Sequence, residues 1–339
     1  PMLQVQQAEL WPSDTTDKFQ AQSTILELIQ TCAKRKDLSR ARKIHADLIQ
    51  TEILPHDILL TNALLGLYVK CGHIDEIEVL FSKTPLRNIV SWNSLIGGYA
   101  RNGHYKKSSQ CLKQMQDEGF SPNVVTFVCA LKACDSTPRV EEIHLEVTKQ
   151  GLLEESILLG NALIHSYAKC GVIGKAKKVF ENLPVKDVIN WTVLIAGYAR
   201  QGQGEMALDC FETMQKEGIT PNVVTFSCIL KACGRLAHLD KGREVHSEII
   251  RKGFLEEYIL IEIFVEETIL IGNALVDMYA KCGSFSEAQK VFEELQIQDV
   301  ISWNFLIEGF MQQGHEEQVL NCFRQMQHKC VPPNAFSFL

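Results

Sequence analysis

The sequence predicts an all-α fold, a solenoid of stacked helix-turn-helix repeats, and two observations support this prediction. Three segments of the chain read almost alike: NALLGLYVKCG (62–72), NALIHSYAKCG (161–171) and NALVDMYAKCG (273–283). Each is followed at the same distance by a second repeated segment: IVSWNSLIGGYARNG from Ile89, VINWTVLIAGYARQG from Val188 and VISWNFLIEGFMQQG from Val300. A chain that is self-similar at a fixed period stacks each unit on its neighbours and forms one elongated array.

Within a unit, the apolar spacing indicates two helices. In the segment from Ile89, the residues Leu95, Ile96 and Tyr99 fall on one helical stripe. A second stripe follows and is closed by Pro122, which cannot continue a helix. Two helices cannot bury both stripes by themselves, so each helical pair must stack on the next pair.

Two further sets of segments interleave with these: MQDEGFSPNVVTF, MQKEGITPNVVTF and MQHKCVPPNAFSF, and then ARKIHADLI, VEEIHLEVT and GREVHSEII. Together the segments resemble the pentatricopeptide repeat family, in particular the plant subclass in which long, short and standard units rotate. The resemblance covers residues 22–339 and implies a right-handed superhelical α-solenoid. It divides the chain, in that rotating order, into units 22–57, 58–88, 89–123, 124–156, 157–187, 188–222, 223–268, 269–299 and 300–334.

The two ends and one internal stretch depart from this regular array. Residues 1–21 are predicted to be an N-terminal tail, and residues 335–339 begin a tenth unit. Because position 1 is not Met and the chain stops inside a unit, we interpret the sequence as a fragment that lacks both ends. The unit 223–268 carries the extra stretch EEYILIEIFVEE (256–267), which we expect to disturb stacking locally. It is either a tolerated insertion, the interpretation we favour, or a partner-binding element.

The composition limits the classes of partner. A net charge of −7 argues against nonspecific, charge-driven nucleic-acid binding, so the placement of the basic residues decides. The 12 cysteines recur at fixed repeat phase without a CxxC pair, which favours reduced packing thiols over disulfides or zinc ligands. No apolar run has membrane length, so we expect a soluble protein and no membrane partner.

The resemblance assigns base contacts to two places in each unit. In the family the fifth residue meets a base edge and the last residue of the unit assists it. Here the pairs are Asn62 with Asn88, Asn93 with Asn123, Asn161 with Asp187, Thr192 with Asn222, Asn273 with Asp299, and Asn304 with Asn334. An Asn amide offers a donor and an acceptor to a pyrimidine, and the shorter Thr leaves room for a purine.

By the recognition code of the family, the three Asn–Asn pairs imply pyrimidines, the two Asn–Asp pairs imply uracil, and Thr192 with Asn222 implies adenine. The order runs from 5′ to 3′ along the chain. The long units carry Leu26, Val128 and Ser227 at the fifth place, and their bases stay unassigned. We expect the fifth residues to project, unpaired, into a shared groove.

The second residue of each short and standard unit is aliphatic: Leu59, Val90, Leu158, Ile189, Leu270 and Ile301. In the family these side chains sandwich the bases, and the alternative is ordinary core packing. Near the end of the first helix a basic residue recurs at Lys70, Arg101, Lys169, Arg200 and Lys281, and Gln312 breaks the series. These cations either contact RNA phosphates, which the common register favours, or cap helix C-termini.

The sequence carries no catalytic or metal-binding pattern. His144 and His246 each begin an HxE fragment like that of zinc deaminases, but the required Cys pair is missing, and His45 occupies the same repeat phase. We therefore expect helix-packing histidines, no enzyme activity, no metal and no cofactor within this chain.

We predict a sequence-specific binder of single-stranded RNA, and no DNA partner. The resemblance implies plant mitochondria or chloroplasts, where the family directs RNA editing, splicing or stabilisation. It leaves open whether editing or processing factors are recruited through a deaminase-like or other C-terminal extension. The alternative is a protein- or peptide-binding solenoid of the tetratricopeptide type.

Overall fold

A computed structural model describes residues 15–51, 53–255 and 262–338, and within these ranges it contains helices and no strand. The α-helices are α1 (Thr15–Arg35), α2 (Leu38–Gln50), α3 (Ile58–Cys71), α4 (Ile74–Lys83), α5 (Ile89–Arg101), α6 (Tyr105–Asp117), α7 (Val124–Lys132), α8 (Thr137–Lys149), α9 (Leu152–Glu155), α10 (Ile157–Lys169), α11 (Ile173–Glu181), α12 (Val188–Arg200), α13 (Gly204–Lys216), α14 (Val223–Leu236), α15 (Leu239–Arg251), α16 (Glu262–Lys281), α17 (Phe285–Glu294), α18 (Val300–Gln312) and α19 (Glu316–His328). Two 3₁₀ turns cover Leu54–His56 and Ala335–Phe338.

The chain forms two compact units, residues 1–166 and 167–339, and both show the predicted helical pairs. In the first, α1, α3, α5 and α7 pack side by side in a row, and α2, α4 and α6 each contact the two row helices that flank them in sequence. In the second, α12, α14, α16 and α18 form the row, with α13, α15 and α17 placed in the same way. Each of the two compact units therefore has a layer formed by the first helices of its repeats and a second layer formed by their second helices.

Aromatic pairs join each short unit to the standard unit that follows it. The ring pairs meet edge to face with centroids 4.7, 4.5 and 4.5 Å apart, for Phe81 with Trp92, Phe180 with Trp191 and Phe292 with Trp303. All six rings are buried. The edge-to-face geometry adds to the free energy of area burial, so these pairs fix how consecutive units stack.

Two histidines that share one repeat phase, His45 and His246 of an HxE fragment, serve packing. His45 Nδ1 lies 2.9 Å from Tyr68 Oη, and His246 Nδ1 lies 2.9 Å from Tyr279 Oη. Burial lowers the pKa of both imidazoles below the ordinary histidine value, which favours the neutral ring. Each pair links the second helix of a long unit to the first helix of the next short unit.

The structure corrects two predicted boundaries. Helix α1 begins at Thr15, so residues 15–21 are helical instead of a tail, because no Gly or Pro interrupts the sequence before Arg35. Helix α16 begins at Glu262 instead of Ile269, so residues 262–267 of the extra stretch lengthen this helix, and residues 256–261 lie outside the described residues.

The expected local disturbance of stacking beside the extra stretch does not interrupt the row of first helices. Helix α16 packs against both α14 and α18, so the row of first helices continues past the insertion. The described added residues, 262–267, extend the N-terminus of α16 and are not inserted between its packed turns.

All 12 cysteines are free thiols, and Cys330 is the exposed one. Cys32, Cys134 and Cys233 are buried in the layer of first helices, as their repeat phase predicted. Burial raises the pKa of the Cys233 thiol to about 12, which keeps it protonated. Among the described residues, no helix has the length and apolar character of a membrane span.

Candidate nucleic-acid interface

The last residue of a unit is the N-cap of the next first helix. Asn88 Oδ1 accepts hydrogen bonds from the backbone N–H groups of Val90 and Ser91, at 3.0 and 3.1 Å. Asn123 Oδ1 accepts one from the N–H of Thr126 at 3.0 Å. Asp187, Asn222 and Asp299 cap their helices in the same way. The Asn and Asp residues at this place therefore serve the fold whether or not they meet a ligand.

The structure brings the predicted pairs together within the two compact units. The side-chain Nδ2 of the fifth residue donates to an oxygen of the last residue at 3.3 Å for Asn62–Asn88, 3.4 Å for Asn93–Asn123, 3.2 Å for Asn273–Asp299 and 3.1 Å for Asn304–Asn334. These contacts join residues far apart in sequence, so the stacking of units creates each pair. Asn161 is half-buried on α10, and Asp187 Oδ1 accepts from the N–H of Asn190 at 2.8 Å.

A third polar residue, missed by the sequence analysis, completes most of these sites. It is the third residue of the following unit, and its hydroxyl donates to the fifth-residue oxygen at 2.8 Å for Ser91–Asn62, 2.6 Å for Thr126–Asn93 and 2.6 Å for Ser337–Asn304. We call the fifth residue, the last residue and this third residue the polar triad. The available signal was a Ser or Thr three residues after every one of these Asn and Asp residues except Asp187, where Asn190 stands, the pattern of a capping box.

The expectation that the fifth residues project unpaired is therefore wrong. Asn62, Asn93 and Asn304 are half-buried and hydrogen-bonded to the following unit, and Asn273 and Thr192 are buried. The physical reason is that an amide beside a helix N-terminus lies within reach of the capping side chain. In the Asn–Asn pairs the remaining amide N–H groups are the groups that face a ligand, whereas the Asn273–Asp299 pair also offers carboxylate oxygen.

Thr192 forms a different triad. Its Oγ1 lies 2.6 Å from the carbonyl oxygen of Val188 and 2.7 Å from Oγ1 of Thr225, which also lies 2.9 Å from Asn222 Oδ1. Because the Thr192 hydroxyl proton has an intrahelical acceptor, the donor left over in this unit is the amide N–H pair of Asn222.

The six aliphatic second residues are exposed, which excludes ordinary core packing. Their exposed fractions run from 39 to 57%, for Leu59, Val90, Leu158, Ile189, Leu270 and Ile301. Two long units, which the prediction had left out, add Val125 at 49% and Val224 at 48%. Nearly every described first helix therefore carries a solvent-exposed aliphatic side chain at its second residue.

The basic series is exposed at all five predicted places, but its members differ in surroundings. Lys70 and Arg200 have no ion-pair partner within the described part of the chain. Arg101 Nη1 donates to the carbonyl oxygen of Val69 at 3.3 Å, the cap that the alternative interpretation predicted. Lys281 Nζ lies 2.6 Å from Oδ1 of the buried Asp277, which neutralises it.

Exposed Lys169 continues the series on α10, and Gln312 ends it on α18. The long units extend it with two exposed cations that the prediction missed, Lys34 and Arg235. The Arg235 guanidinium donates to the carbonyl oxygen of Ala199, much as Arg101 does with the preceding helix. Both cations lie eight residues after the fifth residue of their unit, as Lys70 does in its short unit, so the same register would have predicted them.

The long units lack the polar triad. At their fifth place Val128 and Ser227 are buried and Leu26 is half-buried. Thr268, the last residue of the third long unit, lies inside α16 and cannot cap it. Within the described residues no cluster of His, Cys, Asp and Glu side chains has the composition of a metal site.

Family models match most of the chain. A model described as the PPR repeat family matches residues 87–135, 186–235 and 298–339, and one described as PPR repeat matches 61–89, 161–188, 224–254 and 273–300. A mitochondrial pentatricopeptide repeat-containing protein of Arabidopsis thaliana is 33% identical over 315 residues. The chain belongs to the pentatricopeptide repeat family.

The match to that relative covers 92% of this chain and 48% of the relative. A chloroplastic pentatricopeptide repeat-containing protein of Arabidopsis thaliana is 29% identical over 324 residues, which cover 95% of this chain and 50% of the relative. The chain thus spans about half the length of these pentatricopeptide repeat relatives.

A solved structure confirms the repeat fold. The crystal structure of the pentatricopeptide repeat protein PPR10 in complex with an 18-nt psaJ RNA element superposes with a TM-score of 0.69. The two chains are 14% identical, and the match covers 88% of this chain and 44% of that chain. At this identity the likeness establishes the all-α solenoid of helical pairs.

Proposed function

We propose that this chain binds single-stranded RNA in a sequence-specific manner, with one base facing each short and standard unit. The proposal rests mainly on the repeated association of an exposed aliphatic side chain with a pair of polar residues. In the unit 89–123 these are Val90, exposed to 48%, and Asn93 with Asn123. An aliphatic surface covers the face of a base, and neighbouring amides meet its edge, as RNA recognition requires.

The last residue supplies a physical reason for base preference. In the pair Asn273–Asp299 the carboxylate is an acceptor for the N3–H of uracil, and the Asn273 amide is a donor for a uracil carbonyl. In the unit with Thr192, the Asn222 amide offers N–H donors, which suit the N1 acceptor of adenine and conflict with the N1–H of guanine. Both preferences agree with the bases that the family resemblance implies.

The basic series supplies the backbone contacts. The exposed cations Lys70 and Arg200 have no anionic partner within the described residues, so phosphates can neutralise them without breaking an ion pair. The proposed site therefore combines base contacts with few phosphate contacts, which is consistent with a net charge of −7.

An electrophoretic mobility shift assay tests the proposal. The probe is an RNA with the order pyrimidine, pyrimidine, any base, uracil, adenine, any base, uracil, pyrimidine, and the control has the same composition in scrambled order. We expect the ordered RNA to bind at least ten times more tightly. Equal affinity for both RNAs would overturn sequence-specific binding, and binding of peptides without RNA would favour the tetratricopeptide type of function.

The substitution Thr192→Asn provides an internal check. It replaces a hydroxyl that is committed to the helix backbone with an amide, and we expect the preferred base at this place to change from adenine toward a pyrimidine. The preferences at the other bases should not change. The names of the relatives favour work in mitochondria or chloroplasts, and the family resemblance implies RNA editing, splicing or stabilisation there.

A further inference from the structure

The hydrogen bonds of the polar triad leave the amide of the last residue a single orientation. Asn88 Oδ1 accepts from the N–H groups of Val90 and Ser91, and a rotated amide would place its NH₂ group against those donors. Asn88 Oδ1 must therefore face the helix, and Asn88 Nδ2 must face away from it.

The orientation of the fifth residue follows from that of the last one. Asn62 Nδ2 lies 3.3 Å from Asn88 Oδ1, so the Asn62 amide turns its nitrogen toward Asn88. Its oxygen, Oδ1, then lies 2.8 Å from the hydroxyl of Ser91, which donates to it. The Ser91 hydroxyl is thus the second group that holds Asn62 in this orientation, since it is fully buried and its nearest acceptor is Asn62 Oδ1, with Asn88 Oδ1 farther away at 3.1 Å.

This closed set of hydrogen bonds decides which groups remain for a base. Both side-chain oxygens are directed at donors within the triad, so the groups that turn away from it are N–H donors on Asn62 and Asn88. Two neighbouring donors suit the O2 and N3 acceptors of cytosine, whereas uracil carries a donor at N3. Two other triads have the same arrangement: Asn93, Asn123 and Thr126, and Asn304, Asn334 and Ser337.

The chain contains a natural contrast. Ser302 occupies the same place as Ser91 and is equally buried, but its hydroxyl donates to the backbone oxygen of Asp299 at 2.8 Å. Asn273 Oδ1 is buried and has no hydrogen-bond partner among the residues that the structure describes. In this triad the carboxylate of Asp299, and not a hydroxyl, determines what the base meets.

We propose that the hydroxyl of the third residue, at Ser91, Thr126 and Ser337, is a positioning group that directs the Asn–Asn units toward cytosine over uracil. This inference rests on the proposed RNA function and adds a residue that touches no base. The hydroxyl acts by fixing the orientation of the fifth-residue amide.

The test compares Ser91→Ala with Ser302→Ala, two removals of a buried hydroxyl at equivalent places. Equilibrium dissociation constants are measured for RNAs with cytosine or uracil opposite unit 58–88, and for the same change opposite unit 269–299. We expect the unmodified chain to prefer cytosine opposite unit 58–88 by about fivefold, the value of one hydrogen bond. Ser91→Ala should lower that ratio to about one, because the Asn62 amide is then held only by its 3.3 Å contact with Asn88 and can turn its oxygen toward uracil N3–H.

Ser302→Ala should leave the uracil preference opposite unit 269–299 unchanged. Ser91→Thr should restore the cytosine preference, since Thr126 performs the same role in its own triad. If Ser91→Ala fails to fold, as judged by circular dichroism, Thr126→Val measured opposite unit 89–123 replaces it.

The outcomes separate the two proposals. Suppose that the chain binds ordered RNA more tightly than scrambled RNA, but Ser91→Ala leaves the ratio of cytosine to uracil affinity unchanged. That result overturns the role of the hydroxyl and leaves the proposed function standing. An unmodified chain that binds RNA without a cytosine preference opposite unit 58–88 does the same. A chain that binds no RNA overturns both.

Discussion

The last residue of a unit carries two tasks, and this restricts its identity. It caps a first helix with a side-chain oxygen, and Asn, Asp, Ser and Thr can do so. Of these, Asn and Asp also extend a second polar atom away from the helix, as Asn88 and Asp299 do. The fold therefore accepts an exchange of Asn and Asp, and the exchange alters the group that faces a base.

The substitution Asn123→Asp tests that separation of tasks. The carboxylate keeps the cap, so the free energy of unfolding should change by less than about 0.5 kcal/mol. The preferred base opposite unit 89–123 should move from cytosine to uracil, because an acceptor replaces a donor. Asn123→Ala is the control and should lose about 1 kcal/mol of stability along with the preference. Thermal unfolding and binding titrations measure the two effects, and a strong loss of stability in Asn123→Asp would contradict the argument.

Cys330 provides a second test at the residue scale. Its backbone has a φ of 55°, at the place after a helix where Gly119 and Gly218 stand in the other standard units. A side chain in the left-handed region costs about 1 kcal/mol, so Cys330→Gly should raise the free energy of unfolding by about that amount. Cys330→Ala is the matched control and should give no such gain. Both variants should lose the thiol that reacts fastest with a disulfide reagent, since Cys330 is the exposed cysteine.

The family resemblance, applied in the repeat register, implied the residue pairs and could not predict their hydrogen bonds. Asn62 and Asn88 were assigned in this way, and the structure places their amide nitrogen and oxygen 3.3 Å apart. The role of Ser91 depends on how two units stack, a distance that no local pattern contains. The same holds for Lys281, whose pairing with Asp277 arises because Asp stands where the first short unit has Gly66.

At the scale of elements, close packing between first helices depends on a glycine that the sequence analysis did not single out. A Cβ added to Gly309 would lie 2.6 Å from the Cβ of Ala280 and 3.4 Å from its Cα, which belong to the neighbouring helix α16. Gly98 and Gly197 occupy the same place in the other standard units and are similarly crowded. The helix pattern was predictable from apolar periodicity, but the distance between two helices was not.

The substitution Gly309→Ala should therefore destabilise the protein, although Ala favours helices. Overpacking against a neighbouring backbone costs about 1 to 3 kcal/mol, more than the roughly 1 kcal/mol that helix propensity returns. Gly66→Ala is the matched control, because Gly66 lies within α3 and its added Cβ would meet nothing within 4 Å. Chemical denaturation should show Gly66→Ala more stable and Gly309→Ala less stable than the unmodified chain. A gain for both would show that α16 and α18 can separate freely.

At the scale of the whole molecule, a chain of net charge −7 must concentrate its cations to bind RNA. The basic series does so with one exposed Lys or Arg at the end of most first helices. Its members are not equivalent, since Arg200 has no ionic partner among the described residues whereas Lys281 is paired with a buried carboxylate. Composition predicted weak nonspecific binding, and only the coordinates distinguish free from neutralised cations.

The salt dependence of RNA binding should reveal this difference. Each phosphate contact contributes about 0.7 to the slope of log affinity against log salt for a single strand, so Arg200→Gln should lower the slope by about that amount. Lys281→Gln should lower it less, because Asp277 already neutralises the ammonium group. Asp277→Asn should raise both affinity and slope by releasing Lys281 to a phosphate. Titrations between about 50 and 200 mM salt measure these slopes. Equal slopes for all three variants would place the basic series away from the RNA backbone and leave the cations the role of helix caps.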